Sequence, residues 1–279
     1  MEDFTFDGTR IAYVRQGESG PPVLMLHSAG SSHLIWTPQI AALSREYRVY
    51  AVDLPGYGAS ARPADGYTLE RYSELIRAFI EQHGLSGVGL VGNCVGSAIS
   101  LTLARRHPEL IRAVVAINPL TESTAMRGDW GQAARVARAL PDSTARALSD
   151  WHTPRWVARR TARAWFTTRR AYRECPYVAP LSSGFPARAL IYLVRDLSSF
   201  AALDDWPDHA DLPPICVIWG NQNRVLSAAA GRAVNAMLRP DRAEYLDGCG
   251  HVPMLERAAD VTAIIGEFLA AHLPADSVP

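Results

Sequence analysis

The most constraining feature of the sequence is a short turn in which small residues surround a cysteine. An apolar run over residues 88–92 leads into Gly92-Asn93-Cys94-Val95-Gly96, and a helix-length segment follows at once. A strand that turns directly into a helix brings two backbones together, and glycines two positions on either side of the central residue avoid a Cβ clash there. The pattern therefore predicts a sharp bend that holds Cys94 above the end of a sheet, at the N-terminus of a helix.

The rest of the chain alternates short apolar runs with amphipathic segments of helical length, which is typical of an α/β fold with parallel strands joined by helices. Eight strands are predicted, at residues 3–7, 10–16, 23–27, 48–53, 88–92, 113–117, 215–220 and 243–246. Helices are predicted at residues 34–43, 68–83, 95–107, 227–238 and 256–272. The first two strands, separated by Asp7-Gly8, form an opening hairpin.

The strand pattern stops between Pro119 and Pro214, where the sequence predicts helices broken by prolines. We therefore divide the chain into a core of residues 1–118 and 214–273 and an inserted helical cap of residues 119–213. The short tail of residues 274–279, rich in proline, alanine and serine, is expected to be disordered.

Composition excludes several classes of protein. With 48% hydrophobic and 20% charged residues, the chain is unlike disordered proteins, and its formal net charge of zero gives no overall attraction to nucleic acid or to a membrane. No apolar run reaches the roughly 18 residues of a membrane span, and the N-terminus lacks the layout of a signal peptide. We therefore expect a cytoplasmic protein.

The cysteines predict neither a disulfide framework nor a metal site. Cys94, Cys175, Cys216 and Cys249 are far apart in the sequence, and no Cys or His spacing matches that of a zinc site. We expect no metal and no cofactor.

Five motifs in sequence order resemble those of the α/β-hydrolase family, over almost the whole chain. They are His27-Ser28-Ala29-Gly30, Asp53-Leu54-Pro55-Gly56-Tyr57-Gly58-Ala59-Ser60, the turn around Cys94, Trp219-Gly220-Asn221-Gln222-Asn223, and Gly248-Cys249-Gly250-His251. The resemblance implies the α/β-hydrolase fold, a mostly parallel eight-stranded sheet with helices on both faces and an inserted helical cap.

The same resemblance implies the roles of the site residues. Cys94 would be the nucleophile and His251 the general base and acid, while the backbone N–H groups of Ala29 and Val95 would form the oxyanion hole. Two preorganised donors of that kind can each stabilise a tetrahedral intermediate by about 3–4 kcal/mol.

Two positions depart from the family pattern. The nucleophile is a cysteine instead of the usual serine, and Asn223 stands where the family has aspartate. A thiol has an ordinary pKa of about 8.5 and needs less help than serine to ionise, so an asparagine that only orients the histidine could suffice. Asn118, Glu122 and Asp247 remain alternative candidates for orienting His251.

The cap is rich in arginine. Eleven arginines and three aspartates lie between Arg127 and Arg173. Arg155, Arg159, Arg160 and Arg163 would form a basic face, which is either merely solvated or a docking site for coenzyme A or the acidic surface of an acyl carrier protein.

These features predict an acyl-transfer enzyme of the kind that acts beside polyketide or peptide assembly lines. Cys94 would accept an acyl group from a thioester linked to coenzyme A or a carrier protein and pass it to a small-molecule acceptor. One alternative is a thioesterase or ester hydrolase that uses water as the acceptor. Another is a member of the family that catalyses a non-covalent cyclisation or only binds a ligand.

Overall fold

A computed structural model describes residues 1–178, 187–206 and 211–273, so the predicted tail of residues 274–279 lies outside the described residues. The described strands form one eight-stranded sheet. They are β1 (Glu2–Phe6), β2 (Thr9–Gln16), β3 (Pro22–Leu26), β4 (Arg48–Val52), β5 (Val88–Asn93), β6 (Ile111–Ile117), β7 (Ile215–Gly220) and β8 (Arg242–Leu246). Each strand predicted from the sequence is present, with ends displaced by at most two residues.

The strands lie in the order β1-β2-β4-β3-β5-β6-β7-β8. β1 pairs antiparallel with β2, and β2 with β4, whereas the pairs from β4 to β8 are parallel. Every residue of β3, β5 and β7 is buried, which is expected where helices cover both faces of a parallel sheet. The predicted α/β class and the mostly parallel eight-stranded sheet are confirmed.

Helices pack on both faces of this sheet. The core helices are α1 (Thr37–Leu43), α2 (Leu69–Gln82), α3 (Val95–Arg106), α10 (Ala228–Leu238), α11 (Pro253–Glu256) and α12 (Ala258–His272). Apolar side chains of α2 and α3 form a core with one face of the sheet, and those of α1 and α12 with the other. The predicted helix at 34–43 begins instead as a 3-10 helix (His33–Trp36), and the one at 256–272 is divided into α11 and α12.

Between β6 and β7 the described residues form helices and no strand. These are α4 (Glu122–Met126), α5 (Gly131–Ala139), α6 (Asp142–Ser149), α7 (Arg155–Ala164), α8 (Arg169–Glu174), α9 (Ala187–Arg195) and a 3-10 helix (Leu197–Leu203). We keep the name cap for residues 119–213, of which 179–186 and 207–210 are outside the described residues. The division into core and cap stays a prediction.

The topology determines where a site can lie. The carboxyl ends of parallel strands meet at one edge of a sheet, and ligands bind there in open α/β folds. The loops that carry Ala29, Cys94, Asn118, Asn223 and His251 all follow strands of this sheet. In the described part of the chain, no helix combines the length and the apolar character that a membrane span requires.

Candidate active site

The turn at Cys94 has the sharp geometry predicted from its glycines. Cys94 lies between β5 and α3 with φ 55° and ψ −113°, a backbone conformation that is unusual for a residue with a side chain. A Cβ atom on Gly92 would lie 2.3 Å from the main chain of Gly96, and one on Gly96 would lie 2.1 Å from the carbonyl oxygen of Leu26. The two glycines therefore allow the close contacts that fix the cysteine in this conformation.

Two backbone donors face the cysteine. The N–H groups of Ala29 and Val95 are directed at the Cys94 sulfur, so they lie close to the place where an oxyanion would form on a carbonyl attacked by that sulfur. The loop that carries Ala29 is held by His27, whose Nδ1 lies 2.8 Å from the oxygen of Ser28 and whose Nε2 accepts a 2.9 Å hydrogen bond from the N–H of Leu54. His27 is therefore a structural residue.

Burial, rather than the helix N-terminus, controls the ionisation of the thiol. Cys94 is only 6% exposed. Burial raises the pKa of the Cys94 thiol to about 12, and the N–H groups of Val95 and Ala29 oppose this only in part. The loss of hydration therefore outweighs the two backbone donors at the N-terminus of α3.

His251 is held mainly through its backbone. Its N–H donates to the carbonyl oxygen of Trp165 over 2.9 Å, and its carbonyl oxygen accepts from the side-chain amides of Asn93 at 3.3 Å and Asn118 at 3.2 Å. The ring lies 6.3 Å from the Trp165 ring, centroid to centroid. These contacts connect the histidine to the ends of β5 and β6 and to the cap.

The His251 ring is buried without a charged neighbour to stabilise its protonated form. The residue is 2% exposed, and its Nδ1 atom has no hydrogen-bond partner among the described residues. Burial lowers the pKa of His251 to about 3. Both the thiol and the imidazole are therefore neutral at pH 7 in the unliganded site.

Asn223 lies in the turn after β7, but its oxygen is used by the main chain. The Oδ1 atom accepts hydrogen bonds from the N–H groups of Val225 at 2.9 Å and Leu226 at 3.2 Å. The Nδ2 atom is buried and has no partner among the described residues. Exchanging Oδ1 and Nδ2 by rotating the Asn223 amide would place the Nδ2 donor against the N–H donors of Val225 and Leu226. The orientation of the amide is therefore fixed. The described contacts include no hydrogen bond from Asn223 to His251.

The other candidates for orienting His251 also have different partners. Asn118 donates to the carbonyl oxygens of Gly250 and His251 and accepts from the N–H of Gly220, so it supports the backbone and not the ring. Glu122 forms a 2.6 Å ion pair with Arg138. Asp247 accepts from the Asn221 side chain at 2.8 Å. None of these three side chains is hydrogen-bonded to the histidine ring.

A cavity of about 340 Å³ opens above Cys94 and His251. Most of its wall belongs to the cap, and its lining is almost entirely apolar. The cap helices α5, α7 and α9 contribute Ala133, Ala134, Ala137, Val157, Thr161, Leu190, Ile191, Leu193 and Val194. These lining residues were not predicted from the sequence. The amphipathic periodicity of α5 and α9 is a signal that could have found them, but periodicity does not distinguish a cavity wall from a filled core.

The predicted basic face is present on α7 in part. Arg155, Arg159 and Arg160 are exposed, and none of them forms a salt bridge to another described residue. Arg163 is half-buried and donates to the carbonyl oxygen of Phe166 at 2.9 Å. Trp156, next to these arginines, is 70% exposed.

Among the described residues, no group of three or more His, Cys, Asp or Glu side chains is arranged to hold a metal ion.

Comparisons with known proteins agree with this fold. Residues 21–258 match the family model of the alpha/beta hydrolase fold. The chain is 28% identical to the 2-(acetamidomethylene)succinate hydrolase of Mesorhizobium japonicum, over 82% of this chain and 80% of that protein. It is 24% identical to the dihydrolipoyllysine-residue acetyltransferase component of the acetoin cleaving system of Cupriavidus necator, over 94% of this chain and 67% of that one.

A thermophilic esterase from Thermogutta terrifontis has a similar structure, with a TM-score of 0.79, 19% sequence identity and coverage of 97% of both chains. A likeness at this identity concerns the fold alone. The family match covers most of the chain and includes strands β3 to β8, the turn at Cys94 and the histidine loop. The chain is therefore an enzyme of the α/β-hydrolase fold family.

Proposed function

We propose that this protein is an acyl-transfer enzyme in which Cys94 accepts an apolar acyl group from a thioester and passes it to a small-molecule acceptor. The proposal rests on one observation above all. Cys94 and His251 line the same apolar cavity, and the N–H groups of Ala29 and Val95 are directed at the Cys94 sulfur.

In the first step, the Cys94 sulfur attacks the carbonyl carbon of the donor and its proton passes to His251. The negative charge that forms on the carbonyl oxygen is stabilised by the N–H groups of Ala29 and Val95. When the intermediate collapses, the bond to the donor sulfur breaks and His251 returns the proton to the leaving thiolate. The products are an acyl-cysteine and a free donor thiol.

In the second step, an acceptor attacks the acyl-cysteine and gives its proton to His251, which returns it to the Cys94 sulfur. An amine or thiol acceptor is a better nucleophile than water for this thioester. A neutral histidine with a pKa lowered to about 3 and no bonded carboxylate is a weak base, which disfavours the activation of water. These features support transfer over hydrolysis.

The cavity indicates the chemical class of the acyl group. Its lining has no charged side chain among the described residues, so burial of a charged acyl group there would carry a large desolvation cost. At the roughly 30 Å³ that a water molecule occupies in the liquid, 340 Å³ corresponds to about ten non-hydrogen atoms. An uncharged acyl group of about that size fits the site.

The donor would be linked to coenzyme A or to an acyl carrier protein. Arg155, Arg159 and Arg160 on α7 have no salt-bridge partner among the described residues, and the opposite side of this helix contributes Val157 and Thr161 to the cavity. A phosphate-bearing or acidic donor docked on this helix would therefore lie close to the acyl pocket. Arg163 contributes less to this docking, because its guanidinium binds Phe166.

Hydrolysis of a thioester or ester is the second candidate. The Mesorhizobium japonicum relative is named a hydrolase, which favours this reaction. The Cupriavidus necator relative is named an acetyltransferase component, which favours transfer. The two reactions share the acyl-cysteine and differ only in the acceptor.

Intact mass spectrometry with uncharged acyl thioesters of N-acetylcysteamine would test the proposal. We expect the parent protein and the control variant Cys175→Ala to gain one acyl mass, and Cys94→Ala to gain none. Turnover with an amine or thiol acceptor, but little with water, would support transfer, whereas turnover with water alone would identify a hydrolase. Saturable binding that Cys94→Ala leaves unchanged, without an adduct in the parent, would indicate a non-covalent function.

A further inference from the structure

A carboxylate outside the predicted triad connects the cap to the histidine loop. Glu256, at the end of α11, accepts three hydrogen bonds from two separate segments. Its Oε1 accepts from the N–H of Thr167 at 2.7 Å and from the Thr167 hydroxyl at 2.6 Å, and its Oε2 accepts from the N–H of Gly250 at 2.7 Å.

The two segments that Glu256 holds form the immediate surroundings of His251. Gly250 precedes the histidine, and the cap residue Trp165 accepts the 2.9 Å hydrogen bond from the His251 N–H. Trp165 also lines the acyl cavity, so one stretch of backbone forms a wall of the pocket and an anchor for the histidine. The position of His251 therefore depends on how residues 165–167 are attached to residues 248–251.

A carboxylate is well suited to this attachment. All three partners are donors, and a carboxylate has acceptor oxygens only, so every contact can be a charge-assisted hydrogen bond. Glutamine at this position would direct an amide NH₂ at either Gly250 or Thr167 and lose one side of the connection. The substitution Glu256→Gln removes the negative charge and keeps the size of the side chain.

We propose that Glu256 is a positioning residue that fixes His251 relative to Cys94 through Gly250 and through the cap segment of residues 165–167; this role rests on the acyl-enzyme chemistry proposed above. It does not contact the reacting atoms. The role makes the cap part of the catalytic geometry, because detaching residues 165–167 from Glu256 would displace both a wall of the acyl pocket and the histidine anchor.

The test is the single-turnover rate of Cys94 acylation by one uncharged acyl thioester. We expect Glu256→Gln to slow acylation on the order of 10- to 100-fold, the effect of a displacement of about 1 Å at a catalytic group, with little change in the concentration of donor that gives half the maximal rate. Thr167→Val should slow it as well. The double variant should be no slower than Glu256→Gln, because both changes break the same connection, and Thr167→Ser should retain most of the rate.

Glu174→Gln is the matched control, since Glu174 is an exposed cap carboxylate that pairs with Arg170 and not with the histidine loop. A Glu256→Gln rate equal to the parent rate, or additive effects of Glu256→Gln and Thr167→Val, would overturn the proposal.

Backbone hydrogen exchange separates this proposal from the proposed function. We expect Glu256→Gln to lose protection in residues 165–167 and 248–251 while the strands keep theirs. If the parent protein is never acylated, the proposed function fails. The exchange measurement still tests whether Glu256 holds residues 165–167 and 248–251 together. Unchanged protection in both segments, or a loss of protection throughout the chain, would contradict the role of Glu256.

Discussion

The side chains of Cys94 and His251 are both uncharged at neutral pH. A preformed thiolate–imidazolium pair would require a thiol pKa below that of the imidazole. Burial instead raises the pKa of Cys94 to about 12 and lowers that of His251 to about 3. In the acyl transfer proposed above, proton transfer to His251 would therefore accompany the attack on the donor, as the charge moves to the oxygen bound by the N–H groups of Ala29 and Val95.

This difference predicts the pH dependence of Cys94 alkylation. The pKa of the thiol is raised, so the thiolate fraction should increase about tenfold per pH unit between pH 7 and 9 without a plateau. The rate of modification by iodoacetamide, followed at the Cys94 peptide by mass spectrometry, should rise accordingly. Cys94→Ala provides the background from Cys175, Cys216 and Cys249. A rate that is constant through neutral pH would reveal an ion pair and contradict this description.

A second prediction concerns the charge at position 223. In Asn223→Asp, one carboxylate oxygen can keep the hydrogen bonds from Val225 and Leu226, and the other replaces Nδ2. The negative charge should raise the pKa of His251 above about 3 and make the ring a stronger base. Because Nδ1 of His251 now lacks a partner, we expect faster acylation at neutral pH and a larger share of hydrolysis.

The measurement is the pH–rate profile together with the ratio of hydrolysis to transfer for one donor and one acceptor. Asn223→Ala controls for the loss of the turn contacts. A pH–rate profile of Asn223→Asp that matches the parent would show that position 223 does not influence the histidine. Combining Asn223→Asp with Cys94→Ser should recover more activity than the separate effects predict, since the residues would act as one unit.

The turn at Cys94 depends on the close approach of helix α3 to strand β3. Gly96→Ala should destabilise the fold by about 3 kcal/mol or more, because the added Cβ would lie 2.1 Å from the Leu26 carbonyl oxygen, which belongs to a buried strand and cannot move freely. The free energy of unfolding in urea would measure this.

Gly266→Ala is the matched control for that substitution. Gly266 also lies in a helix, and its added Cβ would approach only the Leu43 side chain, at 3.7 Å. The same methyl group should therefore stabilise the protein by about 1 kcal/mol through helix propensity. If both substitutions changed stability equally, the close approach at Gly96 would not be what requires glycine.

The elements of the core were predictable because their signals are local. Buried strands appear as continuous apolar runs, and the motifs at Ala29, Cys94 and His251 mark the loops that follow them. The backbone anchors of His251 were not predictable in this way. Glu256 belongs to none of the five motifs, and Asn93, although it lies in the turn at Cys94, contacts a residue 158 positions away. The ionisation of Cys94 also depends on burial, which only the assembled chain determines.

The net charge of the whole molecule is zero, but its charged side chains are unevenly distributed over the surface. Within the cap, several arginines are neutralised by acids from elsewhere in the cap, as in the pairs Arg138–Glu122, Arg188–Asp150 and Arg195–Asp142. The exposed arginines of α7 have no such partner among the described residues. Their charge is therefore available to a docked molecule.

The last prediction tests whether this charge docks an acidic donor. Arg155 and Arg159 are four residues apart and lie on one face of α7. Reversing both to glutamate should raise KM for a carrier-linked or coenzyme A donor and reduce the salt dependence of association, because long-range attraction between opposite charges is screened by salt. Short N-acetylcysteamine thioesters, which carry no phosphate, should react at the parent rate.

The matched variant reverses Arg15 and Arg45, two exposed arginines of the core, and changes the net charge by the same amount. If both double variants raise KM equally, the effect comes from overall charge and not from α7. An equal loss with both kinds of donor would indicate damage to the cap, since α7 also forms part of the cavity wall. Turnover of the carrier-linked donor that does not depend on salt would exclude electrostatic docking, because exposed charges separated by more than about 8–10 Å interact only weakly at physiological ionic strength.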